Sequence, residues 1–310
     1  MKAPRIVATD LWFPEGPIWM PDGSLLVVEI RRGTLTRIEP DGHKEIVAAP
    51  GGGPNGAAIG PDGACYLCNN GGFRWTQSAS GRMVVSGQAE DYRGGRIERV
   101  DLHTGQVEVL YDAIEGRAIR GPNDLVFDHH GGFWFTDPGK NRPRDLDHGS
   151  VCYAKADGSF IREVIFPISK PNGIGLSPDG KTLYVAETET ARLWAWDVVA
   201  PGELKLPPAS PSTHHHLGRL VYASPVYQRF DSLKVQADGR ICVGTLARGG
   251  ITVCNPDGSG AEFVPIPGDT QITNLAFGGP TLTKAYVTLS WAGQLVELDW
   301  PSPGLALAYA

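Results

Sequence analysis

Six polar residues of this 310-residue chain have the types and spacing that a hard-cation site would need: Glu15, Asn55, Asn123, Asn172, Asp231 and Asn274. Each offers a carboxylate or amide oxygen, and none is Cys or His. Two carboxylates among neutral carbonyl donors suit Ca²⁺ or Mg²⁺, admit Mn²⁺ and fit Zn²⁺ less well. A single Asn or Asp would carry no such meaning, because these short side chains also cap turns. A shared register does carry it. Glu15, between Phe13-Pro14 and Gly16-Pro17, has no turn role, and buried near an axis it would need a cation partner.

The register comes from a repeat. Five segments, beginning at Glu15, Asn55, Asn123, Asn172 and Asp231, each run from a polar residue through an apolar stretch to a turn whose Gly lies eight residues on. The turns are Pro21-Asp22-Gly23, Pro61-Asp62-Gly63, His129-His130-Gly131, Pro178-Asp179-Gly180 and Ala237-Asp238-Gly239. Asp-Gly between β-rich runs signals a hairpin, since Gly accepts the positive φ the turn requires. Second strands follow at Ser24–Val28, Ala64–Cys68, Gly132–Thr136, Thr182–Ala186 and Arg240–Gly244. A sixth, weaker copy starts at Asn274, lacks the Asp-Gly turn and continues through Lys284–Thr288 and Gln294–Leu298. This predicts an all-β fold, a six-bladed β-propeller with an axial metal site, with residues 1–310 as a single domain. A strand near Arg5-Ile-Val-Ala8 is expected to pair with the last blade and close the ring. The interval from Gly71 to Gly121, with Arg74, Trp75, Tyr92, Arg93, Arg117 and Arg120, exceeds one blade and is expected to form a lid or extended loop.

The segments Pro14-Glu15-Gly16-Pro17, Pro122-Asn123-Asp124, Pro171-Asn172-Gly173 and Phe230-Asp231-Ser232 resemble, in order and over nearly the whole chain, the gluconolactonase, senescence-marker-protein and luciferin-regenerating enzyme family. The resemblance implies metal ligation by Glu15, Asn172 and Asp231, with Asn123 a fourth ligand or a substrate contact, and Asp231 as the general base. It also implies a Ca²⁺-dependent hydrolase that opens a small, sugar-type lactone to the hydroxy acid, with Mg²⁺, Mn²⁺ or Zn²⁺ as the competing ions. Arg120 stands three residues before Asn123, whereas some family members place an arginine two before. It is the candidate substrate clamp, with Asn55, Arg74 and His148 as further substrate contacts and Trp75 and Arg117 as contributors to specificity. Two readings compete: a phosphotriester hydrolase on the same metal, and a non-enzymatic binding propeller with a structural ion.

Bulk properties narrow the partners. A net charge of −6 with no basic stripe argues against nucleic acid, and no window approaches the ~20 apolar residues that span a bilayer. Five cysteines are an odd set, so a reducing cytoplasm is expected rather than a secreted disulfide framework. Cys65-x-x-Cys68 lies in an apolar run and reads as buried structural thiols. His214–His216 sit among Pro and Ser as an exposed connector, and His129 and His130 read as solvated turn residues. Monomer and homodimer both agree with a ring that buries its own edges.

Overall fold

The computed structural model describes residues 3–206 and 218–309; the His214–His216 tract lies outside them. Among the described residues there is no helix, hence none long and apolar enough to cross a membrane. Six antiparallel sheets follow one another around an axis. Blade 1 comprises Pro14–Trp19, Leu25–Glu29, Thr34–Ile38 and Lys44–Ala48, and blade 2 comprises Pro54–Ile59, Cys65–Asn69, Arg96–Val100 and Val107–Tyr111. Blade 3 is Leu125–Phe127, Gly132–Asp137, Gly149–Lys155 and Ile161–Ile168. Blade 4 is Pro171–Leu176, Thr182–Glu187, Arg192–Ala200 and Arg219–Ala223, with Glu203–Leu204 on its edge. Blade 5 is Arg229–Val235, Ile241–Leu246, Gly250–Cys254 and Ala261–Pro265. Blade 6 is Ile272–Gly278, Lys284–Leu289 and Gln294–Asp299, and its outermost strand is Arg5–Ala8 from the other end of the chain, paired antiparallel with Gln294–Asp299. Closure by the first strand occurs as the sequence leads one to expect.

Local chemistry explains the hairpins. Gly23, Gly63, Gly131, Gly180 and Gly239 all have positive φ. In blade 1 Met20 N donates to Ser24 O at 2.9 Å and Gly23 N to Met20 O at 2.9 Å, so Pro21-Asp22-Gly23 is a three-residue loop with Gly at its left-handed position. Strands near the axis are buried on both faces, as Leu25–Glu29 is throughout. The rim strand Lys44–Ala48 is exposed over its first three residues. Cys65 and Cys68 share a strand but pack into different inter-blade cores, one beside Leu35 and Leu67, the other beside Tyr66 and Phe135. Both are free, and burial raises the Cys65 thiol to about 12. Odd spacing along a strand sends them to opposite faces, so they cannot share a metal or a redox bond.

Each innermost strand carries a bulge near its start. Opposite one residue of the second strand stand two: Asn55-Gly56 in blade 2, Asn172-Gly173 in blade 4, Asp231-Ser232 in blade 5 and Thr273-Asn274 in blade 6. Blade 1 interrupts its register in the same way just after Glu15. In blade 3, Asn123 N donates to Thr136 O at 2.9 Å while Thr136 N donates to Asp124 O at 3.1 Å, which makes the same two-to-one pairing. Such bulges bend a strand and re-aim its side chains, here at a common level around the axis. Glycine in the second place lets neighbouring blades touch. A Cβ on Gly173 would lie 2.4 Å from Leu233 N and one on Gly56 2.5 Å from Asn123 O. Gly173→Ala is expected to cost about 1–3 kcal/mol through overpacking, read as a lowered midpoint in denaturant titration. An unchanged midpoint would mean that the blades part without penalty.

The interval between Gly71 and Gly121 supplies the third and fourth strands of blade 2 and, before them, a hairpin, Phe73–Gln77 with Met83–Gln88, inserted between the second and third strands. The hairpin leans over the end of the ring where the innermost strands begin. Trp75 packs on Phe13 of blade 1 at 5.1 Å between ring centroids, and Arg82 lies 5.7 Å from the Trp291 ring of blade 6. At the other end, the C-terminal segment crosses the axis, with Gly304 bridged to Gln236 and the Tyr309 ring 5.7 Å from Phe127. Together with Ile18, Leu125 and Val235 it encloses an apolar cavity of about 460 Å³.

Candidate metal and substrate site on the axis

The bulged strands bring Glu15, Asn55, Asn172 and Asp231 to one register, all buried, and Asn123 joins them through its amide pairing to blade 3. The sixth position corrects the sequence register: Thr273 is the equivalent of Asn55, and Asn274 stands one residue further on. Asn274 nevertheless reaches the site, because its Nδ2 donates to Glu15 Oε2 at 2.8 Å, the same oxygen that accepts Gly16 N at 2.8 Å. Asn172 donates through Nδ2 to Thr188 Oγ1 at 3.1 Å, which turns its Oδ1 the other way. That Oδ1 and the Oδ1 of Asn123 are buried with no hydrogen-bond partner among the described residues.

The electrostatics are those of carboxylates crowded in a dry place. Burial pushes Glu15 up to about 7, against the opposing hydrogen bonds from Asn274 and Gly16, and Asp124 adds repulsion. Burial also raises Asp231 well above the ordinary carboxylate range, and Glu15 raises it further; a hydrogen bond from Asn172 and the charge of Arg229 act in the other direction. Asp124 went unrecognised in the sequence. It is fully buried beneath the ring, with Leu125 N donating to its Oδ1 at 2.9 Å and Lys234 Nζ 3.6 Å from its Oδ2. Its only sequence signal was its place beside Asn123. With Asp124 beside Lys234, Glu15 and Asp231 are the site's carboxylates that have no ion-pair partner among the described residues.

Among the described residues no group of three or more His, Cys, Asp and Glu is assembled to hold a metal. The donors present are of another kind, two carboxylates and two unsatisfied amide oxygens, all hard. That set fits a divalent cation of the Ca²⁺ class in charge and in chemistry.

The remaining candidates are dispersed. Arg120 is exposed at the blade 3 side of the mouth, its backbone N donating to Asp137 Oδ2 at 2.7 Å. Arg74 sits on the inserted hairpin, its guanidinium donating to Ser86 O at 3.2 Å. Arg117 faces outward to Glu163 at 3.2 Å. His148 is exposed and stands edge-on to Phe166 in the rim strand of blade 3, on the outer side of that blade. His129 and His130 are exposed in the turn at the opposite end of the axis.

Two buried lysines were also missed. Lys140 donates to Asn70 O, with its Nζ 5.1 Å from the Phe73 ring and 4.7 Å from the Tyr92 ring, and burial lowers its pKa to about 8. Lys170 donates to Pro138 O at 2.8 Å and, like Phe13, precedes a proline of the ring with positive φ, an uncommon conformation for a side-chain-bearing residue.

The chain resembles known proteins over most of its length. Residues 13–290 match the SMP-30/Gluconolactonase/LRE-like region. A gluconolactonase of Zymomonas mobilis is 25% identical over 305 residues, covering 90% of this chain and 77% of that one. The lactonase drp35 of Staphylococcus saprophyticus is 27% identical over 259 residues, covering 83% and 71%. Among solved structures, a calcium-binding protein, regucalcin, of Agrobacterium tumefaciens superposes with a TM-score of 0.72 at 21% identity, covering 98% of each chain, which shows the shared fold.

Proposed function

Because the chain belongs to the SMP-30/gluconolactonase/LRE-like family, we propose that it is a lactone hydrolase. It opens a small, sugar-type lactone to the hydroxy acid at the mouth of the axis, with Ca²⁺ the best-matched ion. Relatives named gluconolactonase and lactonase support the reaction class. The observation that carries the site is the pair of buried carboxylates, neither in an ion pair among the described residues, on the same ring of bulged strands as two buried amide oxygens that have no hydrogen-bond partner among those residues.

Glu15, Asn172, Asp231 and Asn123 would hold the cation, which when bound polarises a lactone carbonyl and offsets the developing oxyanion charge. The chain's own residues do the rest. Asp231 accepts a proton from the attacking water. Asn172, itself oriented by Thr188, lies beside that carboxylate and favours its ionised form. Asn274 and Gly16 N fix the orientation of Glu15. Asn55 and Arg120 flank the substrate, while Trp75 and Phe13 supply an apolar wall.

The test is hydrolysis of sugar lactones and simple γ- and δ-lactones, followed by acid release, with Ca²⁺, Mg²⁺, Mn²⁺, Zn²⁺ or chelator. Lactone opening that chelator abolishes and Ca²⁺ restores is the expected result. Activity indifferent to chelator would remove the cation from the mechanism, and failure on every lactone would remove the reaction class.

A further inference from the structure

Blades 4 and 5 carry a cation two residues before the proposed ligand, and in blade 3 a cation from another segment sits beside that position. Lys170 and Arg229 stand two residues before Asn172 and Asp231. In blade 3 that position is Gly121, and the amine of Lys140 takes the missing side chain's place. A Cβ on Gly121 would lie 3.1 Å from Lys140 Cε and 3.3 Å from its Nζ. In blades 1, 2 and 6 the same position holds Phe13, Gly53 and Gln271, so the mouth has one cationic half and one neutral half.

The two lysines are 6% and 8% exposed, yet neither forms an ion pair among the described residues, and each amine donates only to a backbone carbonyl. Nearby carboxylates are already committed. Asp137 accepts the backbone N–H groups of Arg120, Gly121 and Gly139, Asp147 pairs with Arg142 at 2.9 Å, and Glu189 pairs with Arg229. Arg229 keeps a buried Nε with no partner. Buried ammonium groups that no carboxylate touches are costly to maintain, since Asp137, Asp147 and Glu189 act on them only through space; Lys170 stands two residues before Asn172, and the Lys140 amine sits at Gly121, two before Asn123.

We infer that this mouth selects a lactone bearing a second, anionic group, a carboxylate or a phosphate, which lies against Lys140 and Lys170 while the lactone carbonyl faces the axial ring. Chemically, the substrate is the lactone of a hydroxy diacid or of a phosphorylated hydroxy acid. The inference rests on the lactonase reading and narrows it to one substrate class. Lys140 and Lys170 are specificity residues, away from the reacting atoms.

The experiment compares kcat/KM for three lactones of one ring size: a neutral sugar lactone, its counterpart with a terminal carboxylate, and its counterpart with a terminal phosphate. It uses Ca²⁺-loaded wild type, Lys140→Met, Lys170→Met and Lys170→Arg. Charge-assisted hydrogen bonds predict a wild-type preference of about tenfold or more for one charged lactone. Each Met variant should lose most of that preference through KM, and Lys170→Arg should retain it. Which charged lactone is preferred identifies the anion. Met for a buried unpaired lysine should preserve the fold, which a thermal melt verifies. A wild type that opens the neutral lactone as well as the charged ones, or Met variants that slow all three alike, would overturn the inference. If no lactone is opened, the reaction reading fails, and calorimetric binding then decides the cationic mouth. Tighter binding of an open-chain hydroxy diacid than of its monoacid counterpart, lost in Lys170→Met, supports it, and equal binding overturns it.

Discussion

Asp231→Asn is expected to reduce lactone opening by a factor of about 10²–10⁴ in kcat, the usual contribution of a positioned general base. The substitution keeps side-chain volume and removes one negative charge from a buried set that includes Glu15 and Asp124, which repel it. The melting temperature of the cation-free variant should therefore equal or exceed that of the wild type, while stabilisation by Ca²⁺ should weaken. This pairing of lost activity with retained stability separates a chemical role from a structural one. A variant with more than a tenth of wild-type kcat would place the base elsewhere, with Glu15 the next carboxylate to replace.

The second large effect couples cation, pH and stability through Glu15. Its carboxyl is raised from 4.5 to about 7 by burial. The folded cation-free protein thus binds this proton more tightly than the unfolded chain does. The stability it contributes is complete below about pH 4.5 and is lost as pH rises through about 7. At about 1.4 kcal/mol per unit this is of order 3 kcal/mol. A cation held by the ionised form reverses that loss. In chelator, the melting temperature should fall between pH 5 and 7.5 more steeply for wild type than for Glu15→Gln. Ca²⁺ at about a hundred times its Kd should add ~2.7 kcal/mol, roughly 4 °C for a chain of this size. The gain should be largest at pH 7.5 and small at pH 5, with proton release on binding. Equal cation-induced shifts at both pH values would show that Glu15 is not a ligand.

Much of this molecule was legible in one dimension because the information is local. Each turn glycine lies eight residues beyond Glu15, Asn55, Asn123, Asn172 or Asp231, and turn chemistry depends only on neighbours along the chain. Blade number, second strands and the closing strand Arg5–Ala8 followed from that spacing together with strand alternation. The odd interval between Cys65 and Cys68 was enough to separate them across a strand. What the sequence left open depends on contacts between residues far apart along the chain. A bulge shifts register without changing composition, so Thr273 rather than Asn274 falls at the sixth ring position. Asp124 meets Lys234 across 110 residues, and Asn274 meets Glu15 across 259. Lys140, in a Pro-Gly-Lys loop that reads as solvated, is buried because the inserted segment folds Phe73 and Tyr92 over its amine. The sequence alone determined that oxygen donors would gather on an axis. Only the tertiary structure decided which charges are balanced there and which remain for a cation and a substrate, because charge balance in a buried site is set by which blades touch.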